Sequence, residues 1–138
     1  TLDMNANENH ANQSDLIEKH TETVDWLSSS ILWKTELQNF RKILDERVHP
    51  ATRTGDVDAD HFQLMILHNI DEIEKLRNKL RHDETMLGRL IESKDDSIHP
   101  ATIEHQDTMH QLESFSKAYK QFRKEFLEFT LKARNHEA

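Results

Sequence analysis

Three side chains of types that bind metals occupy positions where α-helices would turn them toward one another. His20 continues the apolar pattern of the first of three predicted helices, and His105 precedes Leu112 by seven residues on the third. Asp83 stands at an apolar position of the second helix. Imidazole and carboxylate groups that project between bundle helices suit zinc, iron or manganese. We therefore predict a candidate metal site at His20, Asp83 and His105; the alternative is that they close a partly wet bundle end, hydrogen-bonded to one another.

The other histidines of the ten in the chain are weaker candidates. His61, His68 and His82 share one face of the second predicted helix, but positions seven apart lie about 10 Å apart along a helix axis. One ion cannot be bound across that distance, so the pattern favours a solvated face. Glu46 and His49 form the one Glu-x-x-His of the sequence, whereas ferritin-like di-iron bundles need two. The sequence does not support a di-iron centre.

A short motif occurs twice and marks the ends of helices. Val48-His49-Pro50-Ala51-Thr52 is repeated as Ile98-His99-Pro100-Ala101-Thr102. Each copy separates two long amphipathic stretches, and the residue before a proline resists the α conformation. The repeat therefore predicts two chain reversals and three long helices. In an up-down-up arrangement the two copies lie at opposite ends, so His49 and His99 cannot share a site within one monomer.

The first helix is predicted over residues 15–48, with Ser14 as its N-cap, after a flexible polar leader at residues 1–14. Its apolar residues recur mostly at steps of three and four, which is typical of a buried helical face. The pattern shifts near Ser28-Ser29-Ser30, where a bend is expected. The predicted buried positions are Ile17, Val24, Leu27, Ile31, Trp33, Leu37, Phe40, Leu44 and Val48.

The second and third helices, predicted over residues 59–93 and 100–134, have clearer patterns. Apolar residues of the second recur every seven positions, at Ile66, Ile73, Leu80 and Leu87. Asn69 and Asp83 interrupt a parallel series, where polar groups either set helix register or lie at a wet edge. The third helix carries a mostly aromatic stripe that predicts the centre of the core. The stripe comprises Leu112, Phe115, Tyr119, Phe122, Phe126, Phe129 and Ala133.

Composition supports an all-α fold. The 138 residues include only two glycines and two prolines, whereas strand-rich folds need more turn residues. Hydrophobic residues make up only 35%, which suits slender helices that each bury one stripe. We predict one domain, residues 15–135, built from three long antiparallel helices in an up-down-up bundle with coiled-coil-like seams. Apolar residues outside the narrow seams predict that oligomerisation completes the bundle.

Charge and absent motifs exclude several functional classes. The formal net charge of -8 argues against binding to nucleic acids or anionic membranes. The chain has no cysteine, which excludes disulfides, thiolate zinc sites and cysteine nucleophiles. The sequence shows neither an apolar run of membrane-spanning length, nor a signal peptide, nor a phosphate-binding loop or nucleophile elbow. A cytoplasmic location is the default expectation.

The sequence favours a non-enzymatic helical bundle that acts through protein–protein contacts, with a second copy of itself as the simplest partner. The alternative is a metal-binding or metal-sensing bundle that uses the inward-facing histidines and carboxylate. A third possibility is an assembly that responds to pH, because histidine side chains change charge under mildly acidic conditions. No cofactor is expected under the first hypothesis.

Overall fold

Three long helices account for the fold, as the all-α prediction requires. The computed structural model describes the backbone of residues 2–47, 57–94 and 100–137, and the side chains within 13–46, 57–94 and 102–132. Helix α1 spans Leu2–Arg47, α2 spans Val57–Ser93 and α3 spans Pro100–Glu137. The described residues contain no strand, and the packing of the helices fits a bundle.

The helix ends follow from local chemistry. Asp58 and Asp60 lie in the first turn of α2, where carboxylates interact favourably with the helix dipole. At the other end of α2, Lys94 adopts a φ of 54° and its amide donates a hydrogen bond to the Ile91 carbonyl at 3.3 Å. This left-handed residue stops the helix. Pro100 occupies the first position of α3, where its missing amide hydrogen costs nothing.

The start of α1 differs from the prediction. Residues 2–14 of the expected leader form instead the first part of the helix, which begins at Leu2 and passes through Ser14 without a cap. Residues 1–14 contain neither glycine nor proline, and asparagine is only mildly unfavourable within a helix. Nothing in this stretch therefore forces the helix to begin at Asp15. His49 and His99 of the repeated motif lie outside the described residues.

The residue contacts divide the chain into two compact units, and every helix contributes to both. Unit 1 comprises Thr1–Ser30 and Leu76–Leu112, and unit 2 comprises Ile31–Lys75 and Glu113–Ala138. The chain therefore has two clusters of packing, and the single domain stays a prediction.

Unit 2 has an apolar and largely aromatic core. The Phe40 and Phe126 rings lie 4.5 Å apart between centroids, and Phe62 meets Phe129 at 4.7 Å. The predicted stripe of α3 is confirmed as core at its five aromatic residues, whereas Ala133 lies outside the residues whose side chains are described. Fully or largely buried residues of this unit are Leu37, Phe40, Leu44, Ala59, Phe62, Ile66, Ile73, Tyr119, Phe122 and Phe126, with Phe115 and Phe129 packed against them.

Unit 1 has an interior that alternates apolar and polar side chains. Its buried apolar residues are Leu16, Leu76, Leu80, Leu87, Leu90 and Leu112, and its buried polar residues are Thr23, Ser30, Asp83, His105 and Thr108. Half-buried Arg77 joins α2 to α1 by donating hydrogen bonds to the Leu27 carbonyl at 3.0 Å and to Ser30 Oγ at 2.6 Å. Arg77 therefore bonds to polar groups of α1, whereas the buried Asp83 Oδ2 and His105 Nε2 have no hydrogen-bond partner among the described residues.

The buried face of α1 agrees with the prediction at Leu37, Phe40 and Leu44 and differs from it earlier in the helix. The buried positions recur every seven residues, at Leu16, Thr23, Ser30, Leu37 and Leu44. Ile17, Val24 and Ile31, which were expected inside, are 52%, 39% and 51% exposed. Thr23 and Ser30 can be buried because their hydroxyls donate hydrogen bonds to the carbonyls of their own helix, at Lys19 and Leu27. The predicted shift in the buried face is therefore wrong, since the buried positions keep one repeat through Ser30.

Candidate functional site

The most unusual group of side chains in unit 1 surrounds the imidazole of His105. His105 on α3 and Asp83 on α2 are 2% and 3% exposed, and His105 Nδ1 lies 3.5 Å from Asp83 Oδ2. A buried histidine beside a buried carboxylate is uncommon, because both side chains give up hydration. We call His105, Asp83, Thr23 and Glu22 the histidine cluster.

The heptad periodicity of α2 and α3 places both residues inside. Asp83 continues the series that includes Leu76 and Leu90, and His105 begins the series that continues with Leu112. A helix turns residues seven apart to nearly the same face, so each polar side chain takes a position that would otherwise hold an apolar one. The prediction that Asp83 and His105 face the interior is confirmed.

Helix α1 supplies the other two members of the cluster. Thr23 Oγ1 lies 3.3 Å from His105 Nδ1, and Glu22 Oε2 lies 3.6 Å from His105 Nε2. Glu22 remains about half exposed, whereas Thr23 is fully buried. The imidazole therefore has one carboxylate near each ring nitrogen.

The partners of His105 differ from the predicted set. His20 is half-buried, and the hydrogen bond and ion pairs of His105 go to Thr23, Glu22 and Asp83 instead. Within the described residues, no group of three histidine, aspartate or glutamate side chains has the arrangement to hold a metal ion. Metal binding by His20, Asp83 and His105 stays a prediction.

A hydroxyl, an imidazole and a carboxylate also occur together in nucleophilic enzymes, but this arrangement differs from theirs. The Thr23 hydroxyl donates its hydrogen to the Lys19 carbonyl at 2.9 Å and is fully buried. Asp83 and Thr23 both approach the same nitrogen of His105, whereas a catalytic relay uses the two nitrogens for the nucleophile and the carboxylate. The geometry gives Thr23 no path to attack a substrate.

A cleft of about 290 Å³ adjoins the histidine cluster between α2 and α3 of unit 1. Its lining includes Asp83 together with His82, Glu104 and Asp107. His82 Nε2 lies 3.8 Å from Glu104 Oε2, and the Gln111 amide donates to Asp107 Oδ2 at 2.9 Å. These rim groups have partners on the protein, whereas Asp83 Oδ2 is buried and has no hydrogen-bond partner among the described residues.

A second polar cluster ties α3 to α1 in unit 2. The Glu36 carboxylate accepts hydrogen bonds from the Tyr119 hydroxyl at 2.5 Å and from Arg123 Nε at 2.8 Å. Burial raises the pKa of Tyr119 well above its ordinary value, and the hydrogen bond to Glu36 raises this pKa further. The Arg123 guanidinium lies 5.8 Å from the centre of the tyrosine ring. These contacts join α3 to α1 and stabilise the packing of the two helices.

Sequence reasoning missed Thr23 and Glu22 as members of the histidine cluster. The signal that could have found Thr23 was its spacing of seven residues from both Leu16 and Ser30. His61, His68 and His82 are exposed, as predicted.

Within the described residues, no helix combines the length and apolar character that crossing a membrane requires. The chain matches no protein-family model, no curated protein and no solved structure.

Proposed function

We propose that this chain is a non-enzymatic helical-bundle protein that acts through protein–protein contacts. The observation that carries the proposal is the exposed apolar series on α1. Ile17 and Val24 lie seven residues apart, as the buried Leu16 and Thr23 do, yet Ile17 is 52% exposed and Val24 is 39% exposed. Helix α1 therefore has two neighbouring faces with heptad spacing, of which unit 1 buries only one.

An exposed apolar face with regular helical spacing is typical of a surface that packs on another helix. Scattered apolar residues occur on every protein surface, but side chains in register along one face can be covered together. Ile17 and Val24 are in register, and half-buried His20 and Leu27 continue the series at steps of three and four. A partner that covers this series would bury apolar area at about 25 cal/mol per Å².

The interior of unit 1 supports the non-enzymatic part of the proposal. The histidine cluster contains groups that could perform acid–base chemistry, but His105, Asp83 and Thr23 are all nearly inaccessible. A catalytic group must reach its substrate directly or through one water. Burial of these groups suits a role in fixing how the helices pack.

Replacement of the apolar series tests the proposal. Sedimentation equilibrium of the whole chain should give an average mass above the monomer mass of 16.3 kDa. The double variant Ile17→Ser with Val24→Ser should sediment as a monomer at the same concentration. The matched control is Leu64→Ser with Ile103→Ser, because both side chains are exposed and lie on the other two helices. The control should associate like the wild-type chain.

Two results would contradict the proposal. One is a wild-type chain that remains monomeric up to about millimolar concentration, where even weak specific contacts are populated. The other is an apolar double variant that associates as strongly as the wild-type chain does. Far-ultraviolet circular dichroism on each variant establishes that its helices are intact before the masses are compared.

A further inference from the structure

We infer that the partner covering the α1 surface is a second copy of this chain. In this contact, an acidic stripe on unit 1 of one copy docks on a basic stripe on unit 2 of the other. The inference rests on the proposed function and adds the identity of the partner. Its support is the charge that accompanies exposed apolar residues on each stripe.

The acidic stripe consists of Ile17, Glu18, Val24 and Asp25. Each carboxylate directly follows an exposed apolar residue, and all four side chains are exposed. Within the described part of the chain, neither Glu18 nor Asp25 forms an ion pair. The stripe therefore offers apolar area with two uncompensated negative charges beside it.

The basic stripe consists of Lys117, Lys120, Lys124, Leu127 and Leu131 on α3. These positions follow one another at steps of three, four, three and four, so they share one helical face, and all five are exposed. No described residue forms an ion pair with any of the three lysines. The stripe combines uncompensated positive charge with the exposed Leu127 and Leu131.

The charge distribution favours pairing of unlike stripes over pairing of like ones. Two acidic stripes would repel each other, and so would two basic stripes, whereas one of each places opposite charges side by side. The two units also differ in net charge, and unit 1 is the more acidic one. Unit 1 has 13 acidic and 6 basic residues, and unit 2 has 13 acidic and 12 basic residues. A second copy contains the complement of each stripe.

A charge-exchange experiment tests the inference. Variant A is Glu18→Lys with Asp25→Lys, which makes both stripes basic. Variant B is Lys120→Glu with Lys124→Glu, which makes both stripes acidic. Each variant alone should lose association and sediment at the monomer mass of 16.3 kDa. An equimolar mixture of A and B should recover association, because each contact again joins opposite charges.

Matched controls separate the stripes from net charge. Glu46→Lys with Glu92→Lys changes the charge as A does, and Lys42→Glu with Arg89→Glu changes it as B does, at exposed positions outside both stripes. Both controls should associate like the wild-type chain. Added salt should weaken the wild-type contact, because mobile ions screen exposed charges over roughly 10 Å at 0.1 M.

The outcomes distinguish this inference from the proposed function. If A and B each associate normally, or if their mixture stays monomeric, the stripes do not pair and the inference is overturned. Loss of association in the Ile17→Ser and Val24→Ser variant would then still support the apolar surface as a protein contact. If the wild-type chain never associates, the inference is also overturned. If A, B and their mixture behave as expected, the inference is supported.

Discussion

At the scale of single residues, the interior of unit 1 depends on a polar contact where a simple bundle would have an apolar one. Asp83 and His105 occupy heptad positions that continue with leucines on both helices. Burying either side chain without a partner would cost more than it contributes. The two residues therefore depend on each other for stability. Their contact favours one register of α2 against α3.

Replacing one or both members of this pair measures their interdependence. His105→Leu removes the nearest donor to the buried Asp83 carboxyl, so the free energy of unfolding should fall by about 2 kcal/mol. His105→Leu combined with Asp83→Leu should recover most of that loss, because no buried ionisable side chain then lacks its partner. Urea denaturation followed by circular dichroism checks both values. A single variant as stable as the wild-type chain would show that the pair is not coupled.

Tyr119 is the only tyrosine in the chain, so its ionisation can be observed without overlap. Its pKa in the folded protein is raised above the ordinary value of 10, first by burial and second by the hydrogen bond to Glu36. Above about pH 10 the unfolded chain loses the phenol proton while the folded chain keeps it. The folded state then binds more protons, so stability should be unaffected by this group below pH 10 and should fall as pH rises further.

The near-ultraviolet absorbance of tyrosinate checks this pH dependence. In the wild-type chain the absorbance should rise only together with the loss of helical circular dichroism. Glu36→Gln removes a carboxylate that raises the pKa, so tyrosinate should appear at a lower pH in this variant. Tyr119→Phe provides the baseline, since it contains no tyrosine. A tyrosinate signal near pH 10 in the folded wild-type chain would contradict the buried placement of the phenol.

The candidate site was predictable in part, and the reason can be stated for each residue. Asp83 and His105 stand among apolar residues at unambiguous heptad positions, so their sequence context shows that they face inward. His20 was placed by the apolar series of Ile17 and Val24, and that series is exposed. Glu22 could not have been predicted from the sequence, because it is an exposed carboxylate outside any apolar pattern. It lies near His105 only because the face of α1 that contains Thr23 is the buried one.

At the scale of helices, the apolar pattern predicted the buried faces of α2 and α3 better than that of α1. Hydrophobic periodicity locates a buried face when apolar residues fill it, as in the two later helices. On α1 the buried face contains Thr23 and Ser30, which satisfy their hydroxyls by bonding to their own helix. A buried face that contains small polar residues is therefore not detected by a search for apolar periodicity. The neighbouring exposed series then becomes the stronger signal.

The end of α2 offers a direct test of local strain. A left-handed conformation costs a non-glycine residue roughly 1–2 kcal/mol, and Lys94 adopts it with a φ of 54°. Lys94→Gly should raise the free energy of unfolding by about 1 kcal/mol, because the relief of strain exceeds the added entropy of the unfolded chain. Urea denaturation gives the value.

Lys94→Ala is the matched control, since alanine removes the ammonium group while keeping the strain. Its stability should equal that of the wild-type chain. Glycine at an ordinary helical position provides a second control. Lys120→Gly in the interior of α3 should lower the free energy of unfolding by about 1 kcal/mol. A stability gain with alanine at position 94 would assign the effect to charge instead of backbone conformation.

At the scale of the whole molecule, the two units differ in the chemistry of their cores. Among the described residues, unit 2 packs aromatic rings and aliphatic side chains with Asn69 as its buried polar residue, whereas unit 1 includes five buried polar residues among its leucines. Apolar burial contributes about 25 cal/mol per Å², and polar burial contributes little beyond the bonds that it forms. Unit 1 should therefore be the less stable of the two, although continuous helices connect them.

The two tryptophans allow each unit to be followed separately, because Trp26 belongs to unit 1 and Trp33 to unit 2. Trp33→Phe leaves only the reporter in unit 1, and Trp26→Phe leaves only the reporter in unit 2. In urea, fluorescence of the first variant should change at a midpoint lower by about 1 M, which corresponds to 1–2 kcal/mol at ordinary slopes. Amide hydrogen exchange on the wild-type chain should show the same order, with faster exchange in α1 before Ser30 than after it. Coincident midpoints in both variants and uniform exchange along α1 would mean that the polar interior of unit 1 is no weaker than the aromatic core of unit 2.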